Sequence, residues 1–269
     1  PMAGLYDPSF EHDACGLGTV VSLDGVASYG VVEQALTVLE RLDHRGATGA
    51  DPETGDGAGI LIQMPHRFLA RVAAEAGLDL PAAGDYGVGM VFLPHDAEQR
   101  LRCNEIAVRT VAEEGHRAVG WREVPVVPEA IGPLARETAP IVRQLIIERR
   151  HGSADDFERK LYVIRRRIQK AVHGAGIPDS AFAIPSMSSK TVVYKGLLRA
   201  TQVRAYYPDL SDPDVESALA LVHSRFSTNT LGTWDLAHPF NLIAHNGEIN
   251  TVRGNANWLS AREPQLHSK

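Results

Sequence analysis

The sequence predicts an α+β protein, because two kinds of segment alternate irregularly along its 269 residues. Several stretches carry apolar residues at intervals of three and four, which is typical of a helix with one buried face. Shorter apolar runs bounded by turn residues are typical of strands. Some of these runs follow one another without a helix between them, which favours an α+β topology over a strictly alternating parallel sheet. No repeat or linker divides residues 15–269.

Strands are predicted where apolar runs meet turn signals, such as Asp24-Gly25 after the first run. The predicted strands are 16–23, 60–64, 88–93, 118–127, 142–148, 181–187, 191–194, 218–226 and 242–245. The glycine-dense stretch 46–59 cannot form the interior of a helix or a strand. It predicts a tight backbone loop near a functional site or between domains.

Helices are predicted from apolar periodicity and from residues that begin or end a helix. Ser153 and Asp156 form a potential capping box, and Gly77 and Gly115 follow two of the periodic segments. The predicted helices are 31–42, 66–76, 96–114, 153–174, 197–206 and 255–263.

Composition excludes several classes of function. The chain has 27 Lys and Arg against 33 Asp and Glu, a formal charge of −6, and 44% hydrophobic residues, the balance of an ordinary globular protein. This mild acidity argues against a nucleic-acid partner. No apolar run approaches the roughly 20 residues that span a bilayer, so no membrane partner is expected. One predicted helix is basic, and we interpret it as a solvated face because acidic residues interrupt it; its cations are Arg159, Lys160, Arg165, Arg166, Arg167 and Lys170.

The two cysteines and the first 14 residues limit the chemistry and the location that are expected for the chain. Cys15 and Cys103 are too few for a disulfide framework or a four-thiolate zinc site, and no close His pair predicts a metal. Cys103 is expected on the buried side of its helix. Residues 1–14 contain no Lys or Arg, which excludes a secretory signal or a mitochondrial presequence and predicts a cytoplasmic protein. Pro1 before Met2 is interpreted as a cloning remnant.

Three polar segments accompany Cys15, and each has a purely structural explanation when taken alone. Leu42 to Ala47 places His and Arg at a helix C-terminus, where the helix dipole favours cations. His223 to Asn229 contains Arg225, which suits either a carboxylate clamp or a structural ion pair. His245 to Asn250 contains Asn-Gly, which suits a tight turn or an oxyanion site. A lone cysteine such as Cys15 is most often a small buried hydrophobe.

Taken together and in order, these segments resemble the class II, N-terminal-nucleophile glutamine amidotransferases, and most closely those of the glutamate synthase family. The resemblance runs from Leu5 to the end of the chain, and its motifs are Leu5-Tyr6-Asp7-Pro8, Glu11-His12-Asp13-Ala14-Cys15-Gly16, Asp43-His44-Arg45-Gly46-Ala47, Gly55-Asp56-Gly57-Ala58-Gly59, His223-Ser224-Arg225-Phe226-Ser227-Thr228-Asn229 and His245-Asn246-Gly247-Glu248-Ile249-Asn250. The resemblance implies an αββα sandwich of two antiparallel sheets between helical layers. It also implies that residues 1–14 are a propeptide cut between Ala14 and Cys15, and that 15–269 is an amidotransferase domain that is incomplete at its C-terminal end.

The resemblance assigns roles to individual positions, all of them for the hydrolysis of L-glutamine. Cys15 is the expected nucleophile, with the side-chain amide of Asn246 and the backbone N–H of Gly247 as the oxyanion hole. The expected substrate-binding residues are Arg225, Phe226 and Thr228, and Arg45 is expected to order the new N-terminus. No residue is assigned to the substrate amino group.

For the complete enzyme, the resemblance implies further domains after Lys269 that hold FMN and an iron–sulfur cluster, and a small electron-donating subunit. No cofactor is expected in the present chain. Two alternatives remain open at this point. One is a papain-like thiol hydrolase with His223 or His245 as the base, which would act with residues 1–14 attached. The other is an inactive precursor or fragment that only binds glutamine or partner domains.

Overall fold

The computed structural model describes residues 16–48, 51–224, 232–240 and 252–266. Its strands are β1 Leu17–Val21, β2 Ala58–Gln63, β3 Tyr86–Leu93, β4 Arg117–Glu123, β5 Ile141–Glu148, β6 Ala183–Ser188, β7 Thr191–Gly196 and β8 Leu219–Ser224. Its α-helices are α1 Tyr29–Arg41, α2 His66–Glu75, α3 Ala97–Glu113, α4 Pro133–Glu137, α5 Ala154–Gly174, α6 Val203–Tyr206 and α7 Val252–Arg262.

The described strands form two four-stranded sheets in which every pairing is antiparallel. The first sheet has the order β1-β8-β2-β7 and the second has the order β4-β5-β3-β6. Helices flank both sheets, so the predicted α+β class with two antiparallel sheets is confirmed. The predicted strand 242–245 lies outside the described residues.

Two hydrophobic clusters hold these layers together. The larger cluster joins both sheets with α1 and α2, and it includes Leu36, Ile60, Phe68 and Met90. The second lies between the second sheet and the helices α3 and α5. Within β3, Met90 belongs to the first cluster and Val91 to the second, because successive side chains of a strand point to opposite faces. The continuously buried β3 is therefore the strand on which the two cores meet.

Local signals placed the longer helices correctly. The Ser153 hydroxyl accepts a hydrogen bond from the Asp156 N–H at 3.2 Å, and an Asp156 carboxylate oxygen accepts from the Ser153 N–H at 3.3 Å, so the capping box is confirmed. The Asp96 carboxylate caps α3 by accepting from the Gln99 N–H at 2.8 Å. Gly77 and Gly115 lie two residues beyond α2 and α3 at φ values of +70° and +81°, a conformation that favours glycine.

Two predicted elements were wrong in extent. The strand predicted over 118–127 ends at Glu123, because Pro125 and Pro128 have no N–H to donate to a ladder. The helix predicted over 197–206 is instead a 3-10 turn, Ala200–Gln202, followed by the single turn of α6. Arg199 has extended backbone there, and its N–H donates to the Gln202 side-chain oxygen at 2.9 Å, which delays the start of the helix.

Half of the six cations on the basic face of α5 form ion pairs in the structure, namely Arg159, Lys160 and Arg167. Lys160 and Arg167 both contact the Glu114 carboxylate, which lowers the pKa of Glu114. The prediction of a solvated face holds for most of these cations. Arg165 differs, since it is half-buried and its Nε has no hydrogen-bond partner among the described residues.

A buried ion pair between β4 and the 3-10 turn Pro208–Ser211, together with its hydrogen bonds, links the two sheets. Arg122 in β4 and Asp209 are 6% and 4% exposed, and both Nη atoms of Arg122 contact the Asp209 carboxylate at 2.8 Å. Arg122 also donates to the Gln144 side-chain oxygen of β5 at 2.9 Å, and the Tyr194 hydroxyl of β7 donates to Asp209 at 3.0 Å. Burial lowers the pKa of Arg122, but the hydrogen bonds and the charge of Asp209 outweigh this effect and raise it.

Candidate active site

The end of the first sheet brings together the neighbours of two predicted site residues. The Ser224 N–H donates to the Gly16 carbonyl at 2.7 Å, and Leu17 pairs with His223 in the β1–β8 ladder. Gly16 directly follows Cys15 in the sequence, and Ser224 directly precedes Arg225. Cys15 and Arg225 themselves lie outside the described residues, as do Ala14, Phe226, Thr228, Asn246 and Gly247.

The segment that follows α1 passes close to the same strand end. Gly46 follows the 3-10 turn Asp43–Arg45, and a Cβ at Gly46 would lie 3.1 Å from the Ser224 hydroxyl and 3.3 Å from the Asp43 carbonyl. Because a larger residue would crowd both groups, glycine allows this segment to approach β8. Two motifs that are about 180 residues apart in the sequence are thus neighbours in the fold.

Arg45 is the one predicted site residue that the structure describes. Its side chain is half-buried at the end of the 3-10 turn, and its Nε has no hydrogen-bond partner among the described parts of the chain. A buried guanidinium nitrogen without an acceptor is costly. This geometry leaves Arg45 with a donor to offer, and its role at the new N-terminus stays a prediction.

The glycine-dense stretch folds back on itself beside this site. The Asp56 N–H donates to the Ala47 carbonyl at 3.0 Å, and the Ala47 N–H donates to the Asp56 carboxylate at 3.1 Å. Gly55 lies so close to the backbone of Leu198 and Arg199 that a Cβ would overlap it. The predicted tight loop near the site is therefore present in its described part up to Gly57, while residues 49 and 50 are not described. The prediction that 46–59 holds no strand interior is wrong at its end, because Ala58 and Gly59 begin β2, where Gly59 pairs with both neighbouring strands.

Two residues that the sequence analysis did not single out hold this loop in place. Arg199 donates to the Asp43 carboxylate at 2.8 Å, and this contact raises the pKa of Arg199. The Gln202 side-chain amide donates to the Glu53 carbonyl at 2.8 Å. Both partners lie about 150 residues earlier in the chain, so no local pattern reveals them. Arg199 also lines a small polar cavity of about 100 Å³, whose other lining residues are Asp43, Gly46, Ala47, Thr48, Asp56, Leu198, Ala200 and Ser224.

Cys103 and His223 are the described residues that bear on other chemistries. Cys103 is fully buried in α3, as predicted for its side of the helix, and burial raises the pKa of its thiol to about 11. A thiol in that state is a poor nucleophile at neutral pH. His223 is 2% exposed and packs against the ring of His238 at 4.6 Å, whereas His245 lies outside the described residues.

The described residues hold neither a cluster suited to a metal ion nor a membrane-spanning helix. These residues contain no group of three or more His, Cys, Asp or Glu side chains placed to hold a metal ion. No helix among them is both long enough and apolar enough to cross a membrane.

Residues 15–269 match the family model of class-II glutamine amidotransferases, and the chain belongs to this family. Members of this family are enzymes that transfer the amide group of glutamine, so the chain has an enzymatic amidotransferase role. The chain is 48% identical to the large chain of a Bacillus subtilis glutamate synthase [NADPH] over 268 residues, which are 99% of this chain and 17% of the relative. It is 44% identical to the corresponding large chain of Azospirillum brasilense, with 98% and 17% covered. It is 40% identical to ferredoxin-dependent glutamate synthase 1 of Arabidopsis thaliana, with 98% and 16% covered. The chain thus spans about a sixth of the length of these relatives.

Proposed function

We propose that this chain is the glutamine-hydrolysing part of a glutamate synthase and that Cys15 is its nucleophile. The observation that carries the proposal is the hydrogen bond from Ser224 to Gly16, because it joins the neighbours of Cys15 and Arg225 at one strand end. The similarity to three glutamate synthases supports the same assignment. In this proposal residues 1–14 are a propeptide and residues 15–269 belong to the amidotransferase domain.

The first step is the release of Cys15 as an N-terminal residue. An amide nitrogen is not basic, so the Ala14–Cys15 bond must be cut before the α-amino group can act. A free α-amino group has a pKa of about 7.7–8.0, which suits a general base near neutral pH. That amine then takes the thiol proton, and no histidine is required.

The chemical steps follow from this base. The Cys15 sulfur attacks the side-chain amide carbon of glutamine, and the carbonyl oxygen becomes an oxyanion. The Asn246 side-chain amide and the Gly247 N–H would stabilise this oxyanion. The C–N bond breaks, the leaving amine takes the proton from the Cys15 ammonium, and ammonia departs. Water then attacks the glutamyl thioester, so that glutamate is released and the thiol is restored.

Binding of glutamine is assigned to the residues around the same strand end. A bidentate contact from the Arg225 guanidinium suits the α-carboxylate, and Phe226 and Thr228 would adjoin the same substrate. Arg45 would order the Cys15 N-terminus, in agreement with its unpartnered Nε. The described chain offers no residue that we assign to the substrate amino group.

The rest of the reaction is proposed to take place outside these residues. The ammonia would react with 2-oxoglutarate in further synthase domains, where FMN and an iron–sulfur cluster would supply the reducing electrons, with a small subunit as electron donor. The length of the glutamate synthase relatives is in keeping with such additional domains. We propose a cytoplasmic location, since Cys103 is a free thiol and Cys15 must be one.

Glutaminase assays on Cys15→Ala and Cys103→Ala test this function. The protein is expressed with whatever coding sequence surrounds these residues in its gene, and glutamate release is measured. We expect Cys15→Ala to abolish activity and Cys103→Ala, which removes a buried thiol elsewhere, to retain it. Full activity in Cys15→Ala contradicts the proposal. Activity in a protein that still carries residues 1–14 favours the thiol hydrolase, and glutamine binding without turnover in the processed protein favours the inactive binder.

A further inference from the structure

A buried lysine in β7 holds the backbone of the segment that precedes the predicted oxyanion residues. Lys195 is 1% exposed, and its Nζ donates to the carbonyl oxygens of Asp235 and Ala237 at 2.8 and 2.5 Å. The ammonium also lies 4.8 Å from the centre of the Phe240 ring. All three partners belong to residues 232–240, which we call the connecting segment.

The connecting segment lies directly on the backbone of the first sheet. A Cβ at Gly196 would overlap the Trp234 ring, and a Cβ at Gly59 would lie 2.8 Å from the His238 carbonyl. The Trp234 indole N–H donates to the Ala135 carbonyl at 3.2 Å. The connecting segment therefore packs against glycines in β2 and β7, and the hydrogen bonds from Lys195 hold it in that position.

Burying an amine at this position has a cost and a benefit that concern different groups. Burial, together with the smaller effect of the nearby charge of Arg165, lowers the pKa of Lys195 to about 7, so the ammonium is disfavoured there. A methionine of similar length would avoid this desolvation. Methionine, however, would leave the carbonyls of Asp235 and Ala237 without these donors, and both oxygens point at one nitrogen.

The space beside the connecting segment shows what the lysine prevents. A cavity of about 590 Å³ is lined by Lys195 itself, by Asp235, Leu236 and Phe240 of the connecting segment, and by Arg165 and Ile184. The connecting segment therefore has open space beside it, into which we expect it to shift when the two bonds from Lys195 are lost.

We propose that Lys195 is a positioning residue for glutamine hydrolysis, because it fixes the segment from which both halves of the predicted site extend. In the sequence, Arg225 and Thr228 lie a few residues before the connecting segment, and Asn246 lies six residues after its end. This inference rests on the proposed function. A shift of about 1 Å at such a site is enough to cost about 10²-fold in rate.

Hydrogen exchange tests the structural half of the inference without any assay of activity. In Lys195→Met, amides within 232–240 are expected to exchange at least about tenfold faster than in the wild type, since the two hydrogen bonds from Lys195 are lost. Lys190→Met is the matched control, because Lys190 directly precedes β7 but is exposed and paired with Asp155 at 3.1 Å. It should leave exchange within 232–240 unchanged.

Kinetics test the functional half. Lys195→Met should lower kcat/KM for glutamine by about 10- to 100-fold and should raise KM, whereas partial unfolding would lower the apparent kcat and leave KM unchanged. Lys195→Arg keeps a charge and several N–H donors, so it should recover part of the wild-type KM. If Lys195→Met fails to fold, Lys195→Arg is used for the test. In that variant, amides within 232–240 should exchange more slowly than in an unfolded chain, and the KM for glutamine should be moderately above the wild-type value.

The possible outcomes separate the two proposals. The role of Lys195 is overturned if a folded Lys195→Met protein shows wild-type exchange within 232–240 and a wild-type KM. The same result in Lys195→Arg overturns it where that variant is used instead. A wild-type protein that hydrolyses no glutamine after removal of residues 1–14 overturns the proposed function instead. In that case, the exchange experiment still decides whether Lys195 holds the connecting segment.

Discussion

The buried pair of Arg122 and Asp209 gives the sharpest prediction about the stability of the fold. Arg122 is 6% exposed, and Asp209→Leu would leave it with the Gln144 side-chain oxygen as its remaining described hydrogen-bond partner. The Phe68 ring, 5.2 Å from the guanidinium carbon, cannot replace a carboxylate. The substitution therefore leaves the Arg122 charge buried without a carboxylate partner.

The magnitude follows from the two ways of removing the pair. Breaking a buried pair by deleting one partner costs about 3–5 kcal/mol, so Asp209→Leu and Arg122→Met should each lower the free energy of unfolding by that amount. Replacing both, as Arg122→Met with Asp209→Leu, removes the stranded charge. The double variant still loses the hydrogen bonds to Gln144 and Tyr194, at about 1 kcal/mol each. It should therefore cost about 2 kcal/mol, less than either single change.

Urea unfolding, followed by circular dichroism, measures these free energies. Arg150→Met is the control, because Arg150 is 57% exposed and its ion pair with Glu148, at 3.4 Å, should contribute less than about 1 kcal/mol. The reasoning that the pair acts as a unit would be refuted by either of two results. One is a loss of less than about 1 kcal/mol in the free energy of unfolding for each single variant. The other is a loss in the double variant that equals the sum of the two single losses.

Three further predictions concern the site and the pH dependence of folding. Asn246→Ala should lower kcat for glutamine by about 10²–10³-fold if its amide stabilises the oxyanion, and a steady-state assay with an unchanged kcat would remove it from that role. Arg225→Lys should chiefly raise KM for glutamine, because lysine lacks the bidentate fork; an unchanged KM assigns Arg225 a structural part. His116 is 6% exposed, and burial, together with the stacked His151, lowers its pKa. Below about pH 6.5 the unfolded chain binds a proton that folded His116 resists, so stability is fully present above that pH and is lost as pH falls toward the lowered pKa. His116→Gln should flatten this acid loss in urea unfolding at pH 7.5 and 5.5, and equal losses in both proteins would contradict it.

Local sequence signals accounted for much of the fold. The apolar stripe of α5, its Ser153 cap and the glycines after α2 and α3 act over a few residues, so the sequence alone predicted them. The failures had non-local causes. Residues 197–206 carried a helical pattern, but Arg199 is held extended by Gln202 and by Asp43, which is 156 residues away.

The residues of the candidate site were predicted from motifs, but the contacts that hold the surrounding segments in place were not. The meeting of Gly16 with Ser224 depends on the register of β1 and β8, which no short pattern encodes. Lys195 directly follows the predicted strand 191–194 and belongs to no motif, and its partners are backbone carbonyls about 40 residues later. Backbone acceptors carry no residue-type signal, and a sequence cannot show where a lysine will find them.

The most direct test of Cys15 as a processed nucleophile is the intact mass of the protein after incubation with an electrophilic glutamine analogue. The account predicts a wild-type protein that has lost residues 1–14 and gained one analogue, with peptide mapping placing the adduct on Cys15. Cys15→Ala should keep residues 1–14 and gain no adduct. An adduct on another residue, or labelling of Cys15 in a protein that retains residues 1–14, would contradict the account.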